Sequence, residues 1–154
     1  MTFDSNDNLF KRDEYRLILV MGPAGSGKSD LARRTLSHRQ DVFWAPSGFY
    51  KRADVAFPDP EGVSVVVMFN PQGAFDKAVV RQTLAWCKRN RKSALVLVRD
   101  QGERQRLGLA VVDTFLTVSM SYAVPHVVIT HGGRTLALPL HRVTDDDQLG
   151  LAVA

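Results

Sequence analysis

The densest chemistry in the chain lies in one run, Gly22-Pro23-Ala24-Gly25-Ser26-Gly27-Lys28-Ser29. Its spacing fits G-x-x-x-x-G-K-[ST], the P-loop or Walker A pattern, in which each residue type has a mechanical reason. Glycines at 22, 25 and 27 let the backbone turn tightly and bring its N–H groups onto phosphate oxygens, where a Cβ would intrude or forbid the dihedrals. Lys28 can neutralise β- and γ-phosphate charge, and the Ser29 hydroxyl can ligate Mg²⁺ at the positive end of the next helix. All eight residues are therefore expected to bind nucleotide, with Ser29 the metal ligand and Lys28 also catalytic.

Cleaving a bound nucleotide asks for an acid at the end of a neighbouring strand. The strand expected near residues 65–68 ends instead in Phe69-Asn70. Asn70 can orient a water but cannot act as a carboxylate base. Asp59, Glu61 and Asp76 are nearby substitutes, and Asp100 becomes the metal-side acid if the strand before it neighbours the loop. Gln101 stands where a polar side chain can touch the γ-phosphate or its water, so Lys28, Asn70 and Gln101 form the expected catalytic set. Arg99, Arg104 and Arg106 could include an arginine reaching a neighbouring subunit's nucleotide. Each of these also has a plainer reading, as a solvated loop acid, a turn residue or a helix face.

Lys88-Arg89-Asn90-Arg91-Lys92 either grips a nucleic-acid backbone or complements the negative end of its own helix. Cys87 reads as a small core residue. His38, His126, His131 and His141 lack metal-ligand spacing, leaving Mg²⁺ with the nucleotide as the one metal expected.

For the loop to work it must leave a strand and open a helix. Leu17-Ile18-Leu19-Val20-Met21 precedes it, and Ser29, Leu31, Ala32 and Leu36 follow with helical spacing. Further strands are expected at residues 41–45, 63–69, 93–98 and 114–120, and helices at 28–38, 74–91 and 104–112. A hairpin is expected around His131-Gly132-Gly133. The alternation implies an α/β domain, a mainly parallel sheet with helices on both faces and a C-terminal β-hairpin at one edge.

With 154 residues, 45% of them hydrophobic, the chain suits one compact domain. Residues 1–14 read as a flexible arm, 15–142 as the domain and 143–154 as a tail. The single cysteine excludes an internal disulfide and suits a reducing, cytoplasmic setting. Residues 1–8 are polar and acidic, and no apolar run approaches the ~20 residues of a membrane span, so neither export nor membrane insertion is expected. A net charge of +4 and a pI of about 9.5 would help approach to a polyanion.

On these residues the chain resembles the P-loop NTPases, and within them the FtsK/HerA-type DNA-pumping ATPases, including those of viral genome packaging. The loop is the tight part. The branch rests on the strand ending before Gln101, the aspartate-led Val112-Asp113-Thr114-Phe115-Leu116-Thr117-Val118 and the terminal hairpin. The resemblance implies a three-layer P-loop fold, ATP and Mg²⁺ as cofactors, hydrolysis coupled to DNA movement, and a homo-oligomer in the cytoplasm, or in the host cytoplasm if the source is viral. Two alternatives stay open: a small P-loop kinase acting on a nucleotide, polynucleotide or small molecule, and a nucleotide-binding assembly subunit with weak or no hydrolysis.

Overall fold

The computed structural model describes residue 10 and residues 13–45, 56–69, 75–119 and 124–143. Its elements, in chain order, are β1 (Leu17–Met21), α1 (Lys28–Leu36), β2 (Val42–Trp44), β3 (Val65–Met68), α2 (Lys77–Asn90), β4 (Ser93–Val98), α3 (Gln101–Arg106), β5 (Thr114–Ser119), β6 (His126–His131) and β7 (Arg134–Pro139). Short 3-10 turns at Pro60–Gly62 and Leu140–Arg142 complete the described chain.

One seven-stranded sheet runs in the order β2-β3-β4-β1-β5-β6-β7. β2, β3, β4, β1 and β5 are mutually parallel, while β6 and β7 add antiparallel strands at one edge. The fold is thus mixed α/β with a mostly parallel sheet. β4, not β3, lies beside β1, with Met21 opposite Val98. Gly132 and Gly133 hold φ of 57° and 80° in the two-residue turn between β6 and β7, the type I′ geometry that joins twisted strands tightly.

Strand side chains alternate between faces, and here the two sets meet different helices. Ile18, Val20, Val67, Leu95 and Leu97 pack with Leu31 and Leu36 of α1. Leu17, Leu19, Val66, Val96 and Val98 pack with Val79, Val80 and Trp86 of α2. The continuous apolar runs of β3 and β4 follow from this, since a strand covered on both faces has no solvent side on which to place polar residues. Each fully buried leucine contributes roughly 1.5–3 kcal/mol. Phe10, inside the stretch expected to be loose, is 1% exposed, and Leu140 and Val143 join the α1 face.

α3 departs most from the sequence expectation, running over Gln101–Arg106 rather than 104–112. Asp100 caps it early by accepting from the Glu103 N–H at 2.8 Å, and Gly108 at φ 71° ends it early. No helix among the described residues is long and apolar enough to cross a membrane. Cys87 is a buried free thiol, and burial pushes its pKa up to about 12, which makes it inert.

Arg39 clips the end of α1 to the start of β2. Its guanidinium donates to both Asp41 carboxylate oxygens, at 2.8 and 2.7 Å, and to the Phe10 carbonyl at 3.1 Å. The arginine hydrogen bonds hold the Asp41 carboxyl down to about 2, against an ordinary 3.8. A carboxyl depressed on folding stabilises the fold above its unfolded pKa, and that stability is lost as pH falls through the folded one. Stability should therefore decline between about pH 4 and pH 2, by about 1–2 kcal/mol from this group after solvent screening. Asp41→Asn should flatten that limb of a urea-denaturation series against pH; an unchanged limb would refute the assignment.

Candidate functional site

The site grows from the carboxyl end of β1. The Gly22 N–H continues the β1–β4 ladder by donating to the Val98 carbonyl at 3.1 Å, and the chain then leaves the sheet. Ser26 N–H closes a turn on the Pro23 carbonyl, leaving Pro23, Ala24 and Gly25 exposed at the tip. Gly25 at φ 80° and Gly27 at φ 101° hold left-handed conformations that other residues rarely adopt. Gly27 is also the N-cap of α1 and supplies no side-chain hydrogen bond to it. The first N–H groups of this nine-residue helix therefore lack a capping side chain and carry the positive end of its dipole.

Three further observations fit this loop to phosphate. Ser26, 5% exposed, holds its hydroxyl oxygen buried without a hydrogen-bond partner among the described residues. Such a group costs about 1–3 kcal/mol unless something meets it. An ideal Cβ on Gly22 would fall 2.5 Å from that oxygen, so Gly22 leaves the room that Ser26 occupies. Lys28, 7% exposed, donates from Nζ to the Pro23 carbonyl at 3.5 Å and lies 5.9 Å from the Phe69 ring centre. Burial lowers its pKa, the Glu103 carboxylate opposes that shift, and the Arg99 guanidinium adds to it. Ser29 Oγ accepts a long 3.4 Å contact from Arg33, one turn along α1.

Ala24, Gly25, Gly27, Lys28 and Ser29 wall a cavity of about 360 Å³ whose lining also includes Phe69, Leu97, Arg99 and Glu103. That volume is within the range of ordinary small-molecule sites, roughly 300–1,000 Å³. A second groove of about 410 Å³ shares Ser29, Phe69 and Leu97 with it and extends to Arg33 and Trp44. Trp44 is 42% exposed there, at the end of β2. No cluster of three or more His, Cys, Asp or Glu suited to a metal occurs among the described residues.

Of the residues singled out in the sequence, Ala24, Gly25, Gly27, Lys28 and Ser29 line the cavity, while Gly22, Pro23 and Ser26 complete the loop without lining it. Gln101 does not line the cavity; it opens α3 exposed, and Glu103, two residues on, takes that place. Asn70 lies outside the described residues. The candidate acids start helices and turns: Asp59 accepts from the Glu61 N–H, Asp76 caps α2 through the Ala78 N–H, and Asp100, although the strand before it does neighbour the loop, caps α3 and does not line the cavity. Glu61 is exposed within its 3-10 turn. Asp113 accepts from the Leu17 N–H at 2.7 Å, joining the start of β5 to β1 at the end of the strands away from the loop. Arg104 donates to the Leu109 and Ala110 carbonyls and stacks on Phe115 at 4.6 Å, so its guanidinium is committed to its own fold. Arg106 stays exposed at the end of α3.

Glu103 is the residue that sequence reasoning missed. Its signal was present in Asp100-x-x-Glu103, the spacing of a capping box just after the strand that neighbours β1. Lys88 and Arg89 sit in the last turn of α2, and Arg91 caps it at φ 58°. They precede the start of β4, whereas the loop lies beyond its end, which puts them roughly 20 Å away along the strand.

No protein-family model and no curated protein matches the chain. Among solved structures, the N-terminal domain of zonular occludens toxin from Neisseria meningitidis matches over 76% of this chain and 84% of that one, at a TM-score of 0.44 and 13% identity.

Proposed function

We propose that the chain is a P-loop NTPase, with the three-layer form of that fold, which binds ATP with Mg²⁺ in the cavity at the end of β1 and hydrolyses it. The observation that carries this reading is the convergence of the Lys28 side chain, the left-handed Gly25 and Gly27 and the uncapped start of α1 on one cavity of small-molecule size. Backbone N–H groups of residues 25–29 would take phosphate oxygens, and Lys28 would neutralise charge on the outer phosphates. The Ser29 hydroxyl would hold Mg²⁺, which supplies charge neutralisation on the β- and γ-phosphates when bound. Coupling to DNA translocation or packaging, in a homo-oligomer, is the biological role we attach to it. The exposed Lys88, Arg89 and Arg91, at the end of the strands away from the loop, would be the grip, and exposed Arg106 the arginine offered to a neighbour.

A second reading, phosphate transfer to an acceptor, draws on the groove of Trp44, Phe69 and Arg33 that continues from Ser29. An aromatic wall with a cation at its rim would suit a planar acceptor. Calorimetry with ATP and Mg²⁺ should give a one-to-one isotherm, and phosphate release should rise when DNA is added to protein sized by light scattering. Release without DNA stimulation from a monomer would remove the pumping role; label appearing in an added acceptor rather than in free phosphate would favour transfer. No heat of ATP binding would overturn both.

A further inference from the structure

We propose that Glu103 is the catalytic acid-base residue of this site, a carboxylate in the cavity wall that takes the proton from the water attacking the terminal phosphate of a bound nucleoside triphosphate. The assignment rests on the ATP-binding reading above and supplies what that reading lacks, a carboxylate at the loop.

Glu103 is 6% exposed, although a glutamate in the first turn of a short helix ordinarily faces water. It is held there from two sides. The Arg99 backbone N–H donates to Oε1 at 3.1 Å, and Arg99 Nη2 approaches Oε2 at 3.4 Å. The carboxylate lines the same cavity as Gly25, Lys28 and Ser29, and it is near enough to Lys28 to stabilise the ammonium against its burial. Among the described residues lining that cavity it is the only carboxylate, since Asp100 is turned to the α3 N-terminus. β4 delivers it, because the strand that neighbours β1 ends at Val98 and α3 starts three residues later.

The step balances without a further reactant. The water oxygen bonds to the terminal phosphorus as the bond from phosphorus to the bridging oxygen breaks. The nucleoside diphosphate leaves with that electron pair, and the water proton passes to Glu103 and then to solvent. Arg99 is the positioning residue, fixing the carboxylate through main chain and side chain.

The plainer alternative is that Glu103 only ties the start of α3 to Arg99 and balances Lys28. Glu103→Gln separates the two, because glutamine keeps the size and the acceptor for the Arg99 N–H yet cannot take a proton. The variant should unfold at the wild-type temperature and bind ATP with wild-type affinity by calorimetry. It should carry intact ATP through a desalting column, while turnover falls by about 100-fold or more. Asp100→Ala, which removes the cap and leaves the Glu103 carboxylate, should lower the unfolding temperature, the signature of a purely capping role. Wild-type turnover in Glu103→Gln would overturn the assignment, as would loss of ATP affinity in step with turnover, which would make the carboxylate a holder of the loop. A wild type that binds ATP without hydrolysing it overturns the Glu103 role alone; one that binds no ATP overturns the nucleotide reading itself.

Discussion

Lys28→Ala should weaken ATP binding by at least about 30-fold while leaving the folded chain about as stable as before. The Lys28 residue is 7% exposed, with a carbonyl at 3.5 Å, an aromatic face at 5.9 Å and the Glu103 carboxylate near enough to support its charge. Burial already lowers its pKa, so the empty site bears a desolvation cost that alanine removes. With phosphate bound the balance reverses. Truncating one partner of a buried, hydrogen-bonded charge pair costs about 2–5 kcal/mol, which corresponds to a loss of roughly 30-fold to several thousandfold in affinity. Isothermal calorimetry measures the loss and thermal unfolding the unaltered fold. Equal ATP affinity in the two proteins would show that the loop is not where nucleotide binds.

The second large effect is expected at Gly22. Its φ does not demand glycine, so the cost of Gly22→Ala is one of space: the new methyl would stand 2.5 Å from Ser26 Oγ and 3.4 Å from Ser26 Cβ. Ser26 must then move, and the turn that follows moves with it, at a cost of about 1–3 kcal/mol by comparison with other overpacked sites. Ser26→Ala alone should stabilise the nucleotide-free protein by about 1 kcal/mol, because it deletes a buried hydroxyl that has no partner. Combined, the two substitutions should be far less damaging than their sum, since the oxygen that clashes is gone. Urea denaturation of the four proteins gives the coupling directly, and simple additivity would refute the packing account.

Much of this architecture was legible in the residues. The apolar runs of β3 and β4 announced strands covered on both faces, and the glycine spacing of the loop placed a strand before it and a helix after it. What stayed hidden was spatial. Nothing local in residues 93–98 says that this strand, rather than residues 65–68, pairs with β1, because partner choice is decided by the covering of whole faces. The acid of the site was missed for the same reason. Glu103 looks like a solvated charge in Gln101-Gly102-Glu103-Arg104 until β4 is set beside β1 and the first turn of α3 is brought over the loop. α2 was placed to within a few residues, as its ends are marked by Asp76 and by the basic residues of its last turn. α3 was misplaced because its apolar neighbours Leu107 and Leu109 were read as helical when they fill the core from the turn beyond it.

The position of β1 bears on how the chain is made. Both partners of this strand lie far downstream, with Leu17 opposite Ala94 and Ile18 opposite Thr114, and Gly27 is backed by Leu140. Synthesis at about 5–20 residues per second leaves Leu17-Ile18-Leu19-Val20-Met21 outside the ribosome for roughly 4–15 s before β4 exists to receive it. An apolar, β-prone pentapeptide with two bare edges is an aggregation hazard for all of that interval. The nascent chain should therefore lean on chaperones early, and a truncation before β4 should be recovered as insoluble protein however well its phosphate loop is preserved.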